Sequence, residues 1–510
     1  MPTKQHSQPE RPVGPNLNDN AQTIAYLLDS QGQLWRDNEG TGYITWWNRI
    51  HTGMPGPRWE TYPLDSSEFH GVLQAVHSHL HGEGLSSRTR ADIILKLQGD
   101  AAITGVYSRV WVRSAWDVDE RGRRNICLDL GNHAREMVYL SHDVEQPVKI
   151  TNAPYPKFRR LPGQQPLIRP SSEANSQQGW QQFVELLGFE NEDQVRLIWA
   201  WMMAALWPEG PYPILSITGP PDSGKSTLMR TIRRLIDPQT PESTGMPMLE
   251  KDLVLTASQS RVLCLDNLST VPPWASDALC RVSTGTGGHA RRLNMDTEQL
   301  HLGGCCSTVM TGVRSVVQAP DLLSRTIHVK LPAIRSTGRV SEMAYWKRFE
   351  RIASYVLGQL IHGIRYYLAD ISSENPMEFE FRPRMITYAH MAMVAEVVFG
   401  WEYGSFERAY RRNLQQSDYD LVDTHPAIDA IIRLADQGFQ DGYTELLAAM
   451  EQFASPKDRR SEYWPANSLE LGHLLAKAEP ILNRLGYQYR TVRTGKYRVR
   501  LAVLSRAPKT

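Results

Sequence analysis

The stretch from Pro211 to Thr227 reads PYPILSITGPPDSGKST, an apolar run that ends in Gly219, Pro220, Pro221, Asp222, Ser223, Gly224, Lys225, Ser226 and Thr227. Every fixed position of the phosphate-binding pattern G-x-x-x-x-G-K-[ST] is met. Glycines let the backbone curl until successive N–H groups point inward at phosphate oxygens, and the helix that follows adds the positive end of its dipole. Lys225 then reaches the β- and γ-phosphates of a nucleoside triphosphate, and the Ser226 hydroxyl sits on Mg2+. The flanks agree with this reading. Ile214, Leu215 and Ile217 form a short run of the kind buried in a parallel strand, and Leu228, Ile232 and Leu235 recur at helical intervals after the loop. ATP and Mg2+ are the expected ligands.

Such a loop needs a second strand whose terminal carboxylate holds the metal. From Arg261 four apolar residues lead to Asp266, about forty residues downstream, so Asp266 is expected to share Mg2+ with Ser226. Asn267 follows where many such ATPases carry Glu. An amide orients water but takes no proton, which points either to another base or to slow hydrolysis. A third apolar strand from Ser307 brings Thr311 to a position beside the γ-phosphate. Asp321-Leu-Leu-Ser-Arg325 puts Arg325 at the end of a short helix, where it serves either as an arginine finger in a neighbouring subunit's site or as a surface salt bridge. A finger requires an oligomer.

The 510 residues are too many for one core, and about three domains are expected. A formal net charge of +1 gives no global electrostatic signature, so a nucleic-acid surface has to come from local clusters of Lys and Arg. The five cysteines show neither a C-x-x-C pair nor ligand spacing, which argues against zinc or a disulfide framework and for a reducing, cytoplasmic setting. Leu197 to Trp207 is too short to span a bilayer and reads as a buried helix, so no membrane partner is expected.

The fold class read from these patterns is α/β, with a parallel-sheet core around the phosphate loop. Residues 1–19 read as a disordered lead, 20–152 as an N-terminal α+β domain and 153–179 as a linker. The ATPase core takes 180–340, a helical region 341–455, and a winged-helix-like domain 456–510. In the last of these, Tyr497, Val499, Leu501 and Val503 alternate with Lys496, Arg498 and Arg500, giving a strand with one apolar and one basic face. Arg493, Lys496, Arg498 and Arg500 are candidate contacts to nucleic acid phosphates, the other reading being an edge strand protected by charge.

The order of elements resembles the AAA+-related superfamily 3 helicases, in particular the primase-helicase-like ATPases of phages, prophages and genomic islands. The resemblance rests on Gly219–Thr227, Leu235–Pro238, Asp266–Ser269, Pro273–Gly285, Asp321–Arg325 and Arg382-Pro-Arg384-Met385. It implies a P-loop core of AAA+/RecA type and a homo-oligomeric, hexameric ring that acts on DNA. It also implies a hairpin between the Asp266 and Thr311 strands that touches the translocated DNA strand. Within that interval the apparent turn Asp296-Thr-Glu298 is acidic, so His289, Arg291 and Arg292 are the contact candidates. Thr311 stands where relatives more often carry Asn. The expected function is an ATP-dependent DNA helicase or translocase of a mobile element. The alternative is a non-translocating ATPase switch in regulation or anti-phage defence; a small-molecule kinase lacks a recognisable acceptor pocket.

Overall fold

Asp19 opens the first helix of the computed structural model, which describes all residues except 1–18, 30–31, 51–55, 173–177, 190, 286–287, 292–298, 303–304, 335–339, 495–498 and 508–510. The chain divides into two units. The first comprises residues up to Trp111 with the short segments 133–136 and 151–159. It contains α1 (Asp19–Asp29), β1 (Gln33–Arg36), β2 (Gly42–Asn48), β3 (Arg58–Pro63), α2 (Ser67–His81), α3 (Ser87–Thr104) and β4 (Val106–Tyr107). Its sheet runs β3-β2-β1-β4, antiparallel except for the β1–β4 pair. Ser66 and Ser86 cap α2 and α3 by accepting the N–H groups of Phe69 and Thr89, which satisfies donors that have no partner within the helix. Phe69, Leu73, Val76, Ile93 and Leu97 from these helices close over Ile44 and Trp46 of β2.

The second unit begins with β5 (Ser114–Val118), β6 (Arg124–Asp129), β7 (Met137–Leu140) and β8 (Lys149–Thr151), which lie side by side in chain order. Next come α4 (Gln178–Leu187) and α5 (Glu192–Leu206), and α5 is buried without interruption from Leu197 to its end. The region around the glycine loop then supplies β9 (Ile214–Thr218), α6 (Lys225–Ile236), α7 (Glu250–Ser258), β10 (Val262–Leu268), α8 (Pro273–Thr284), β11 (Gly288–Arg291), β12 (Gln299–Leu302), β13 (Ser307–Gly312), α9 (Pro320–Leu323) and β14 (Thr326–Lys330). Strands β10-β13-β9-β14 form a wholly parallel sheet. Its residues alternate between two cores. Leu215, Ile217, Cys264 and Val309 face the core of α5 and α6, while Ile214, Leu263, Leu265 and Met310 face the core of α8. A sheet covered on both faces explains why these strands read as continuous apolar runs.

The chain continues through α10 (Glu342–Ile371), α11 (Ile386–Phe399), α12 (Ser405–Thr424), α13 (Pro426–Gln437), β15 (Phe439–Asp441), α14 (Tyr443–Met450), α15 (Ser468–Arg484), β16 (Tyr487–Thr494) and β17 (Val499–Arg506). The last three strands order as β15-β17-β16. Among the described residues no helix is long and apolar enough to cross a membrane.

Four expectations differ from this structure. The boundary expected at 152 falls earlier, because Ile126, Leu128, Val138 and Leu140 of β6 and β7 share the core of α5 and the parallel sheet. The stretch read as a linker also packs: Leu161 and Leu167 are buried, and the Leu167 N–H donates to the Leu130 carbonyl at 2.7 Å. At the other end, the C-terminal core starts at α13 rather than at 456, since Ile428 and Ile431 share one core with Leu471, Leu475, Ala502 and Leu504. The faces of β17 are reversed as well. Ala502 and Leu504, in step with Arg500 and Arg506, are the buried residues, while Leu501 and Val503 are only half-buried. Of the disordered lead expected over 1–19, residues 1–18 lie outside the described residues, and Asp19 opens α1.

Candidate functional site

At the C-terminal edge of the parallel sheet, three strand ends converge. β9 delivers the glycine loop, β10 delivers Asp266, and β13, paired between them, delivers Thr311. A Cβ on Gly219 would stand 2.6 Å from the Leu331 carbonyl oxygen and 2.7 Å from Ser223 Oγ, so no larger residue fits there without a shift. Gly224 adopts φ 84° as the N-cap of α6, a left-handed conformation that favours glycine. No side chain caps α6, and its first turn begins at Lys225 and Ser226. A glycine cup leading into an uncapped helix start suits a phosphate group, which accepts from the backbone N–H groups and meets the dipole.

Lys225 Nζ donates to the carbonyl oxygens of Gly219 (2.9 Å) and Pro220 (2.6 Å) and to Ser223 Oγ (3.3 Å). Its ammonium therefore lies within the cup. Ser226 Oγ donates to Asp266 Oδ1 at 3.0 Å, and the Thr311 hydroxyl donates to the same oxygen. The Asn267 backbone N–H lies 3.0 Å from Asp266 Oδ1 and 2.9 Å from Thr311 Oγ1. That bend requires φ 56° at Asn267, which asparagine tolerates, and it coincides with a register shift between Leu265 and Leu268. The Asn267 side chain is exposed and Thr311 is 1% exposed. Thr311 thus braces the carboxylate, a partnership that no local pattern in the sequence marks.

Arg325 lies apart from this group. Thr326 of β14 pairs with Ile214 at the start of β9, so Arg325 sits at the opposite strand edge from the glycine loop of its own chain. Its Nη1 is 2.7 Å from Asp321 Oδ1, and its side chain is 13% exposed. Arg384 Nη2 reaches the same oxygen at 2.9 Å, with a side chain 45% exposed. Burial tends to raise the Asp321 pKa, but the hydrogen bond and charge of Arg325, joined by the charge of Arg384, outweigh it and hold the carboxyl below the usual range. Nothing in the sequence signals the Arg384–Asp321 pair beyond the place of Arg384 in the Arg382–Met385 block.

Between β10 and β13 the strands β11 and β12 pair antiparallel, from Gly288 opposite Leu302 to Arg291 opposite Gln299. His289 and Arg291 lie on β11, but their side chains and all of Arg292 fall outside the described residues, as do Lys496 and Arg498. Arg493 and Arg500 are both exposed and stand directly opposite each other across β16 and β17.

Residues 180–420 match the family described as actinomycete integrative conjugative element replication protein, and residues 427–510 match the C-terminal domain of the same kind of protein. Together these two matches take in more than half of the chain. No curated protein matches the chain. Among solved structures it is similar to the A form apo structure of the NrS-1 C-terminal region, with 9% identity, 96% of this chain and 99% of that chain covered, and a TM-score of 0.37. It is also similar to the JCV helicase, with 13% identity, 48% and 66% covered, and a TM-score of 0.22. Similarity at these scores is weak.

Proposed function

Because the chain belongs to the replication proteins of actinomycete integrative conjugative elements, we propose that it is an ATP-dependent DNA helicase or translocase that hydrolyses ATP at the interfaces of a ring. The observation that carries this reading is the meeting of Ser226 and Asp266 at 3.0 Å beside a glycine cup that holds Lys225. Lys225 exchanges its bonds to the Gly219 and Pro220 carbonyls for phosphate oxygens. Ser226 and Asp266 would hold Mg2+, which when bound neutralises charge on the β- and γ-phosphates. Thr311 and the Asn267 N–H keep the Asp266 carboxylate in place, and the exposed Asn267 amide orients the attacking water. Water attacks the γ-phosphorus, the bond to the bridging oxygen breaks, and ADP and phosphate result. Arg325 belongs to the neighbouring subunit's site, because it lies at the wrong strand edge for its own. The β11–β12 hairpin and the basic β16–β17 hairpin are the DNA-contacting elements.

The test is turnover and strand displacement with and without DNA at low salt, with Lys225→Ala as the inactive control. Stimulation by DNA and displacement of an annealed strand support the reading. A specific observation favours a second reading, a nucleotide-driven assembly switch: Asn267 takes the place of an acid next to Asp266. Assembly that depends on triphosphate while turnover ignores DNA selects the switch.

A further inference from the structure

Two guanidinium groups share one carboxylate oxygen at the N-terminal edge of the parallel sheet. Asp321 Oδ1 takes Arg325 at 2.7 Å and Arg384 at 2.9 Å, and Arg384 Nη1 also donates to Ser324 Oγ at 2.6 Å. Two cations on one anion leave a net positive charge. Of the two, Arg384 is the more accessible, with 45% of its side chain exposed against 13% for Arg325. Neither serves its own chain's phosphates, since the five residues of β14 separate this edge from the phosphate loop by roughly 16 Å. Both of Arg384's anchors, Asp321 and Ser324, lie on the short segment that ends in Arg325, so whatever that segment approaches meets both arginines.

We propose that Arg384 acts with Arg325 in the neighbouring subunit's nucleotide site, as a second cation supplied across the interface to the γ-phosphate. This rests on the reading that sites are shared between subunits. A triphosphate concentrates more negative charge than one guanidinium offsets, and the charge redistributed in the transition state is stabilised by cations fixed in advance. Asp321 is the counter-ion that keeps both side chains ordered until the phosphate replaces it.

The experiment uses the full chain and the variants Arg384→Ala, Arg384→Lys and Arg325→Ala, each alone and mixed with Lys225→Ala. Binding is read with a fluorescent ATP analogue, and turnover by phosphate release. Arg384→Ala is expected to bind the analogue as the parent does and to lose about 10- to 100-fold in turnover, less than the roughly 1000-fold or more attached to loss of a sole finger. Mixing it with Lys225→Ala should raise turnover above the sum of the two, because the Lys225 variant still presents Arg384. Arg384→Lys, which keeps a charge and guards against a folding defect, should fall between and respond to mixing in the same way. Parental turnover in Arg384→Ala overturns the proposal. So does a mixture that stays at the sum for Arg384→Ala while rising for Arg325→Ala, which leaves the shared-site reading standing. If neither mixture rises, shared sites and this inference fall together.

Discussion

Ser226 Oγ and Asp266 Oδ1, forty positions apart in the chain, meet at 3.0 Å where β9 and β10 end. Asp266→Asn keeps an oxygen that accepts from Ser226 and Thr311, so the fold is expected to survive with its melting temperature little changed. The lost negative charge weakens the hold on Mg2+, and turnover should drop by about two orders of magnitude or more. Thermal melting alongside turnover across a Mg2+ titration checks both halves. Near-parental turnover in Asp266→Asn removes the metal role.

Lys225 is satisfied by loop carbonyls of Gly219 and Pro220. Lys225→Ala therefore removes the main cation for a bound triphosphate. It should abolish measurable binding of a fluorescent ATP analogue at concentrations that saturate the parent chain. Circular dichroism is expected to be unchanged, because the loop's shape is fixed by Gly219 and Gly224 rather than by the ammonium.

The shape of the glycine loop was legible in the sequence because its requirements are local. Gly219 is pressed against Leu331 and Ser223, Gly224 needs a left-handed backbone, and both precede Lys225 at fixed spacing. Asp266 was legible because an apolar run ends in an acid. Thr311 binding Asp266, and Arg384 joining Asp321, are contacts between residues tens of positions apart, and such pairings leave no periodic trace. The same limit hid the partner of β6 and β7, whose apolar residues close onto α5 rather than onto the preceding helices. In β17 both alternating stripes contain apolar residues, so period alone does not say whether Leu501 or Ala502 faces inward. The choice is made by α13 and α15, which cover Ala502 and Leu504.

Thr311 separates a bracing role from a catalytic one. It is buried, donates to Asp266 and sits 2.9 Å from the Asn267 N–H. Thr311→Val keeps the shape but removes one of three donors to Asp266 Oδ1 and one of two acceptors of the Asn267 N–H, at a cost of about 0.5–1.5 kcal/mol in unfolding free energy. Turnover is expected to need more Mg2+ while its maximum changes less than threefold or so. A collapse of the maximum at saturating Mg2+ would instead assign Thr311 to the reacting phosphate. Urea unfolding and a Mg2+ titration read the two effects separately.

Acid should destabilise the chain before its carboxylates titrate. Burial lowers the pKa of His328 and of His425 from 6.5 to about 4. Between those values the unfolded chain binds a proton that the folded chain does not, so stability is complete above about pH 6.5 and falls as pH drops toward 4. Each residue accounts for roughly 3 kcal/mol at the lower limit. His425 adds a structural reason, since its Nδ1 accepts the Ile428 N–H at 3.4 Å to cap α13, and a protonated ring cannot accept. His425→Ser retains a capping oxygen and removes the titration. Melting temperatures taken from pH 7 to pH 4.5 should fall less steeply in that variant, and an unchanged slope refutes the assignment.

Arg493 and Arg500 stand directly opposite each other across β16 and β17, both exposed, with Arg490 nearby on the same strand. Like charges in a cross-strand pair cost the sheet some tenths of a kcal/mol or more. The fold therefore gains nothing from them at these positions, whereas a polyanion lying against the hairpin would turn the repulsion into attraction. Replacing Arg490, Arg493 and Arg500 together by Ala should leave the melting temperature equal or slightly higher. The same variant should bind DNA more weakly across all sequences. If each arginine neutralises one phosphate of a duplex, the slope of log affinity against log salt should shrink by about 0.9 per arginine, or about 2 to 3 in all. A stable variant with an unaltered salt slope would show that the hairpin's charges guard a sheet edge and that DNA is held elsewhere. A variant that loses both stability and binding would be read through Arg493→Ala alone, where relief of the repulsion and loss of one phosphate contact have opposite signs on the two measurements.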